Sequence, residues 1–408
     1  MNVILDQPVS ELKPDYLTAE FLDKHARAVL SFYFPACIDR HAGGFHQYFM
    51  PNGEPDRENK SRHLVSSCRL AINFAVAARH FGDQDFLVAA RHGLAFIREA
   101  HRNPSTGGYS WIIEKGAVID GDNQAYGIAF VMMAYARALE AGVTEAHAYI
   151  TETFEFLERY FWEEQHSLYA ETRSADLAQL SAYRGQNSNM HCCEALIAAF
   201  DATHERKYLD RAIRVARQLT VVLTADTDGR IWEHYTDTWS HDFAYNKGDS
   251  QNKLRPWGYQ PGHFTEWAKL LLRINRHAPR LWLVERARQL FDRAMNIGYD
   301  ARYGGLYYAV APDGLICGDG KYSWVQAETI SAAAFLGSVT NDGMYWCTYR
   351  QLWSYVMENM VDHRLGCWHR NLTRDNFVIT DAVAMGRTDY HVFCACIDIS
   401  NQLSCSSS

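Results

Sequence analysis

The sequence lacks the marks of several large protein classes. No run of 18 apolar residues occurs, so no membrane span is expected. The opening segment MNVILDQPVSELKPD has no basic stretch ahead of a long apolar core, so no secretory signal is expected and the expected location is cytoplasmic. Positive charge is not in excess: 40 Lys and Arg against 48 Asp and Glu give −8, which supplies no field for nucleic acid or an anionic membrane. The ten cysteines form no Cys-x-x-Cys pair, so zinc-finger and dithiol redox motifs are absent and buried free thiols are expected. Nucleotide loops are missing too. In GLICGDGKYS, Leu315 stands where a P-loop needs its first glycine and Tyr322 follows Lys321. No Gly-x-Gly-x-x-Gly follows a strand. With 13% aromatics and 48% hydrophobic residues, disorder is excluded.

What is present is a repeat. A glycine-aromatic turn recurs as HAGGFHQYF (41–49), NPSTGGYSW (103–111), EEQHSLYAE (163–171), DTDGRIWEH (226–234), DARYGGLYY (300–308) and DHRLGCWHR (362–370). An amphipathic helical run precedes each copy, at roughly 17–33, 84–101, 144–163, 205–223, 279–298 and 342–360. In 84–101, Phe86, Ala90, Leu94 and Ile97 fall on one stripe at helical spacing. A second helix follows each turn, beginning near 62, 123, 187, 260, 324 and 388. These second helices are apolar nearly all round, as in AFVMMAYARA (129–138) and AAAFLG (332–337), so they belong inside. Twelve helices in six pairs predict an all-α fold, an (α/α)6 barrel or toroid, with the long loops and short hairpins on one face. The links between pairs leave no room for a domain linker, so residues 1–408 are expected to form a single catalytic domain with a flexible tail at 401–408.

Long loops and the first turns of the inner helices share that face, so chemistry is expected there. The residues at those six starts are Arg62 and His63; Asn123 and Tyr126; Asn187, Asn189, His191 and Glu194; His263 and Glu266; Trp324 and Glu328; Asp389, Tyr390 and His391. NMHCCE (189–194) and PGHFTE (261–266) repeat His-x-x-Glu in register, and residues three apart share a helix face, so each glutamate is placed to hold its histidine. Plainer readings stand beside these. His63 caps a helix; His80, His92, His101, His204 and His277 are solvated; Trp324 is a core residue; Glu328 pairs with Arg62 or Lys321; the loop tryptophans 111, 232, 239, 257 and 368 are packing residues rather than a sugar-stacking lining. Di-metal carboxylate bundles order the pair as Glu-x-x-His and need two further inward glutamates; the order is reversed here, so no metal is expected.

SRHLVSSCR, NSNMHCCE, PGHFTEWAKLL and TDYHVF together resemble the N-acylglucosamine 2-epimerase superfamily over nearly the whole chain. RHLVSSCR and RPWGYQPGHFTEW look most similar to its mannose isomerase and related aldose–ketose isomerase branch. The resemblance implies metal-independent, cofactor-free proton chemistry on a small monosaccharide. Carried over, His263 and His391 are the acid/base pair, Glu266 orients His263 and Arg62 stabilises an enediolate. His191 and Glu194 are a further polar anchor, Tyr126 and Asn187 hold hydroxyls, and Trp324 stacks on the sugar ring. Glu328 is counted with this substrate-binding set because it shares Trp324's helix face.

Histidine, with a reference pKa of about 6.5, serves as base and acid near neutrality, and a cation stabilises the cis-enediolate. The expected reaction is interconversion of D-mannose and D-fructose, with D-lyxose and D-xylulose as a further pair. A 2-epimerase acting on mannose/glucose, cellobiose or N-acylglucosamine is the alternative. A glycoside hydrolase would need two inward carboxylates about 5–10 Å apart, and the paired histidines argue against it. A binding protein on an inactive toroid would lack the histidines. An anionic sugar would need a dedicated cation, for which Arg184, Lys253, Arg255 and Arg387 are placed. No nucleic acid or membrane partner is expected, and nothing in the sequence decides between a monomer and a homodimer.

Overall fold

The computed structural model describes residues 15–249, 252, 255–380 and 386–406. In chain order its α-helices are α1 (Ala19–Tyr33), α2 (Leu64–Phe81), α3 (Gln84–Phe96), α4 (Ala125–Glu140), α5 (Ala146–Tyr160), α6 (Gln186–Thr203), α7 (Arg206–Arg217), α8 (Pro261–His277), α9 (Leu281–Gly298), α10 (Ser323–Thr340), α11 (Gly343–Asn359) and α12 (Tyr390–Ser406). The even-numbered helices pack each on the next, and α12 returns to α2, closing an inner ring. The odd-numbered helices wrap it, and the whole is an (α/α)6 barrel.

Composition assigns the rings. Twelve of the residues of α4, from Ala125 through Ala138, are buried, because a helix of alanine, methionine and aromatics has no polar face to give to water. In α7, Arg206, Asp210, Arg214 and Arg217 stay off the face that buries Tyr208, Leu209, Ala212 and Ile213. Short links join the rings: α2 ends at Gly82 in the left-handed conformation (φ 68°), and Asp83 caps α3 by accepting from the amide of Asp85. Two outer helices widen in their last turn to π-helix, at Ile97–His101 and Gln218–Val222.

The glycine-aromatic turns are hairpins. Trp162–Glu163 pairs with Leu168–Tyr169 and Val361–Asp362 with Cys367–Trp368. A second set of short ladders places the site. The residues leading into an inner helix pair with the loop of the following repeat: Ser61–His63 with Ile112–Glu114, Asn123–Gln124 with Thr172–Arg173, Arg184–Gly185 with His234–Tyr235, and Lys321–Tyr322 with Asn371–Leu372. This belt ties four of the six inner first turns to their neighbours.

Some expectations change. Residues 401–406 are not a free tail; they are the last turns of α12, with Gln402 buried, while 407–408 lie outside the described residues. His101 is buried, with Nδ1 bonded to the carbonyl of Ser110 and Nε2 to Ser67 Oγ, because the π-turn swings it inward. His63 occupies the cap position of α2 but makes no capping bond; its ring packs edge-on to Trp111. Among the described residues no helix is long and apolar enough to cross a membrane.

Candidate active site

The inner helices share a register. Their second residues are Val65, Tyr126, Asn187, Gly262, Trp324 and His391, and their sixth residues include Arg69, Phe130, His191, Glu266 and Glu328. Positions four apart lie on one helix face, so these two layers line the barrel axis at its loop end.

His391 lies between them. Its Nδ1 is 2.8 Å from Glu328 Oε1, and its Nε2 is 3.3 Å from Arg69 Nη2. Arginine has only donors, so the network assigns Nδ1–H to Glu328 and a lone pair to Nε2. Burial pushes this ring below the usual histidine range, and Arg69 adds to it, against the raising bond from Glu328. Arg69 also donates to Tyr126 Oη at 3.0 Å and lies over the Phe130 and Tyr390 rings.

His263 is held in the same way by a different residue. Its Nδ1 is 2.9 Å from Glu233 Oε2, and Gln186 Nε2 donates to the same carboxylate at 2.9 Å. Trp267 Nε1 donates to Gln186 Oε1 at 2.8 Å and so fixes which way that amide points. Trp324 sits beside both histidines, its ring 5.0 Å from that of His263 and 5.9 Å from that of His391. Gly262 makes room for it: a Cβ there would lie 2.7 Å from the indole.

His191 Nδ1 bonds Glu194 Oε2 at 2.9 Å, and its ring packs against Tyr126 at 5.0 Å and His391 at 6.2 Å. Burial lowers its pKa to about 4, so it stays neutral. Several buried polar atoms here have no protein partner: Asn187 Oδ1, Glu233 Oε1, Arg69 Nε and both oxygens of Glu266. Such atoms suit a ligand rich in hydroxyls.

Two expected roles move to other residues. Arg62 lies on the strand before α2 and is drawn away from the axis: its Nη2 donates to Asp39 at 2.8 Å and its Nη1 to the carbonyls of Asn59 and Ser61. The cation at His391 is Arg69, one turn into the helix. Glu266 does not orient His263; it sits in the deeper layer, 4.0 Å from His191 Nδ1, while His263 turns toward Glu233 on the loop between α7 and α8. Tyr126, Asn187, His191, Glu194, Trp324 and Glu328 are all brought to the barrel's loop end. Glu328 pairs with Lys269 and His391, not with Arg62 or Lys321. Reading the repeat one turn deeper would have found Arg69, which stands in register with His191 and Glu266. Glu233 was hidden inside DTDGRIWEH, which reads as turn punctuation.

The cations proposed for an anionic sugar are engaged. Arg184 is bidentate on Glu163, Arg387 is on Asp389 and the Trp368 carbonyl, and Arg255 is on Glu171. Lys253 lies outside the described residues. Two sets of metal-ligating atoms do converge within 4.8 Å, His191–Glu194–Glu266 and Glu266–Glu328–His391. Lys269 and Arg69 already place positive charge among them.

The sequence pattern of the N-acylglucosamine 2-epimerase (GlcNAc 2-epimerase) family matches residues 43–395. A D-mannose isomerase from Marinomonas mediterranea is 43% identical over 388 residues, 95% of this chain and 98% of that protein. One from Thermobifida fusca is 34% identical over 356 residues, 86% of each. A crystal structure of D-mannose isomerase superposes with a TM-score of 0.92 at 43% identity, covering 96% of this chain and all (100%) of that one. A cellobiose 2-epimerase from Bacillus thermoamylovorans superposes at 0.83 with 17% identity, covering 94% and 99%, a likeness of fold alone.

Proposed function

The chain belongs to the N-acylglucosamine 2-epimerase family, and from that premise we propose that it is an aldose–ketose isomerase interconverting D-mannose and D-fructose. The observation that carries this reading is the pair of histidines flanking Trp324, each with Nδ1 tied to its own glutamate, so that Nε2, which on His391 accepts from Arg69, is the nitrogen that moves a proton.

The reaction needs an open-chain sugar. His263 Nε2, on a ring steadied by Glu233, passes a proton between the ring oxygen and O1 as the pyranose opens. His391 Nε2 then takes the proton from C2. The C2–H electrons form the C1=C2 bond, and the carbonyl electrons move onto O1 to give a cis-enediolate. Arg69, beside His391, stabilises that oxyanion. Return of the proton from His391 to C1, with the O2–H proton passed to the O1 oxyanion, leaves a hydroxyl at C1 and the carbonyl at C2. His391 must be neutral to start, and its lowered pKa keeps it so at pH 7.

The positive charge comes from Arg69 and Lys269, so the proposed chemistry is metal-independent and cofactor-free. The proposed setting is the cytoplasm and the proposed partner a free, uncharged monosaccharide, in keeping with the occupied arginines. Delivery of the proton to the other face of C2 would instead give epimerisation.

Incubation with D-mannose in D2O with a chelator, followed by NMR, separates the outcomes. Fructose carrying deuterium at C1 is the expected result. Glucose deuterated at C2, with little fructose, would make the chain an epimerase. No reaction and no exchange at C2 would overturn the reading.

A further inference from the structure

One turn below the reacting layer, three glutamates and a lysine are buried together: Glu194 on α6, Glu266 and Lys269 on α8, and Glu328 on α10. Lys269 is spent on a carboxylate. Its Nζ donates to Glu328 Oε2, and the other oxygen of that carboxylate holds His391 Nδ1 at 2.8 Å. Ammonium, carboxylate and imidazole thus form one chain that ends at the nitrogen proposed as base. We propose that Lys269 is a positioning residue for the isomerisation: it fixes Glu328 as the carboxylate that holds the proton of His391 on Nδ1 and so leaves the lone pair on Nε2.

Glu266 provides the internal comparison. It is as deeply buried as Glu328 and lies among the same carboxylates, but neither of its oxygens has a hydrogen-bond partner. Burial and the neighbouring Glu328 push it well above the usual carboxylate range, so it holds its proton. Burial opposes the charge on Glu328 too, yet Lys269 first, and His391 next, bring it below that range. With Arg69 and Lys269 positive, Glu194 and Glu328 negative, and Glu266 protonated, the cluster is neutral while His191 and His391 are neutral. Without Lys269 the balance requires another proton, and the Glu328–His391 pair is the place where it does most harm.

The groups facing His391 come from every inner helix. Arg69 stands on α2, Tyr126 on α4, and His191 and Glu194 on α6. Glu266 and Lys269 are on α8, Glu328 on α10, and Tyr390 on α12, with Arg273 and Asp398 deeper. Of the groups named, the cations that act on the ring are Arg69 and Lys269, and both lower the histidine. Loss of either makes protonation easier, so the acid limb of the rate profile moves up.

This inference rests on the isomerase reading, and its test keeps the two apart. In the full chain, Lys269→Met is compared with Lys269→Arg by pH profiles of kcat/KM with D-mannose, and His391 is titrated by 15N NMR without substrate. The Met variant should lose roughly tenfold or more in kcat/KM at pH 7, with the acid limb and the His391 titration both shifted up by about one unit; the Arg variant should recover most of both. A uniform loss with an unshifted limb and an unshifted His391 would make Lys269 merely structural and overturn the proposal. If the Met variant does not fold, the parent decides: a neutral His391 protonated on Nδ1 at pH 7 supports the proposal, and an Nε2–H tautomer or an imidazolium overturns it. A parent inactive on D-mannose whose His391 still responds to Lys269→Met would remove the isomerase reading while leaving the positioning role intact.

Discussion

His263 and His391 reach the same arrangement by unrelated routes. One is held by a loop glutamate, Glu233, and the other by a helical one, Glu328. Two arginines separated by seven residues show how little distance in sequence decides. Arg62 is a latch on Asp39, whose carboxylate also accepts from the amides of His41 and Ala42. Arg69 is the group that meets the developing oxyanion. Arg69→Ala should therefore lower kcat by about 10²–10³-fold with little change in thermal stability, because the loss is felt in the transition state. Arg62→Ala should instead leave Asp39 buried without its partner and lower Tm, at smaller cost to kcat. Steady-state kinetics and thermal melts of the two variants check the assignment. Both arginines stand in one short segment, SRHLVSSCR; which one turns inward was set by a carboxylate 23 positions upstream of Arg62.

At the scale of the element, the first turns of the inner helices are positioned by side-chain amides as well as by the belt of ladders. Asn189 accepts from the amide of Tyr169 at 2.7 Å and donates to its carbonyl at 2.8 Å, and Gln326 does the same for Leu306 at 2.9 Å in both bonds. Asn123 accepts from the amide of Tyr109 at 2.8 Å. Each holds the aromatic strand of a hairpin against an inner helix. Asn189→Ala strands a buried N–H and C=O and should cost about 2 kcal/mol, read as a fall in the denaturation midpoint with kcat/KM at low temperature largely kept. A variant as stable as the parent would remove the structural role. In the sequence, Asn189 stands two residues before His191 and looks like part of the site; the hydrogen bonds make it part of the frame. Glu266 shows the converse, since His-x-x-Glu spacing placed it on the right helix face but could not say which histidine it meets.

For the whole molecule, the barrel buries groups that an unfolded chain would titrate. Burial lowers His25, His101 and His191 to about 4 and His63 to about 3, from 6.5. Between those values and 6.5 the unfolded chain binds these protons and the native chain does not, so stability falls as pH falls through that window. Glu266 opposes with one proton, since it is protonated in the native state. The remaining imbalance is worth roughly 1.4 kcal/mol per pH unit for each net proton. Denaturant midpoints should drop from pH 7 to pH 5, and a flat dependence would contradict it.

The sequence by itself determined the fold class and the face that carries the chemistry. Apolar periodicity and the recurring turn are local properties, and six repeats of them leave few ways to bury the inner helices other than a closed ring. It also determined which histidines stand at the inner first turns. Only the tertiary structure decided their partners. Glu233, Gln186, Arg69 and Lys269 each come to a histidine, or to the carboxylate that holds it, from another element. A hydrogen bond across 30 to 322 residues of chain leaves no periodic trace, because it is fixed by how neighbouring helices rotate about their own axes as the core packs.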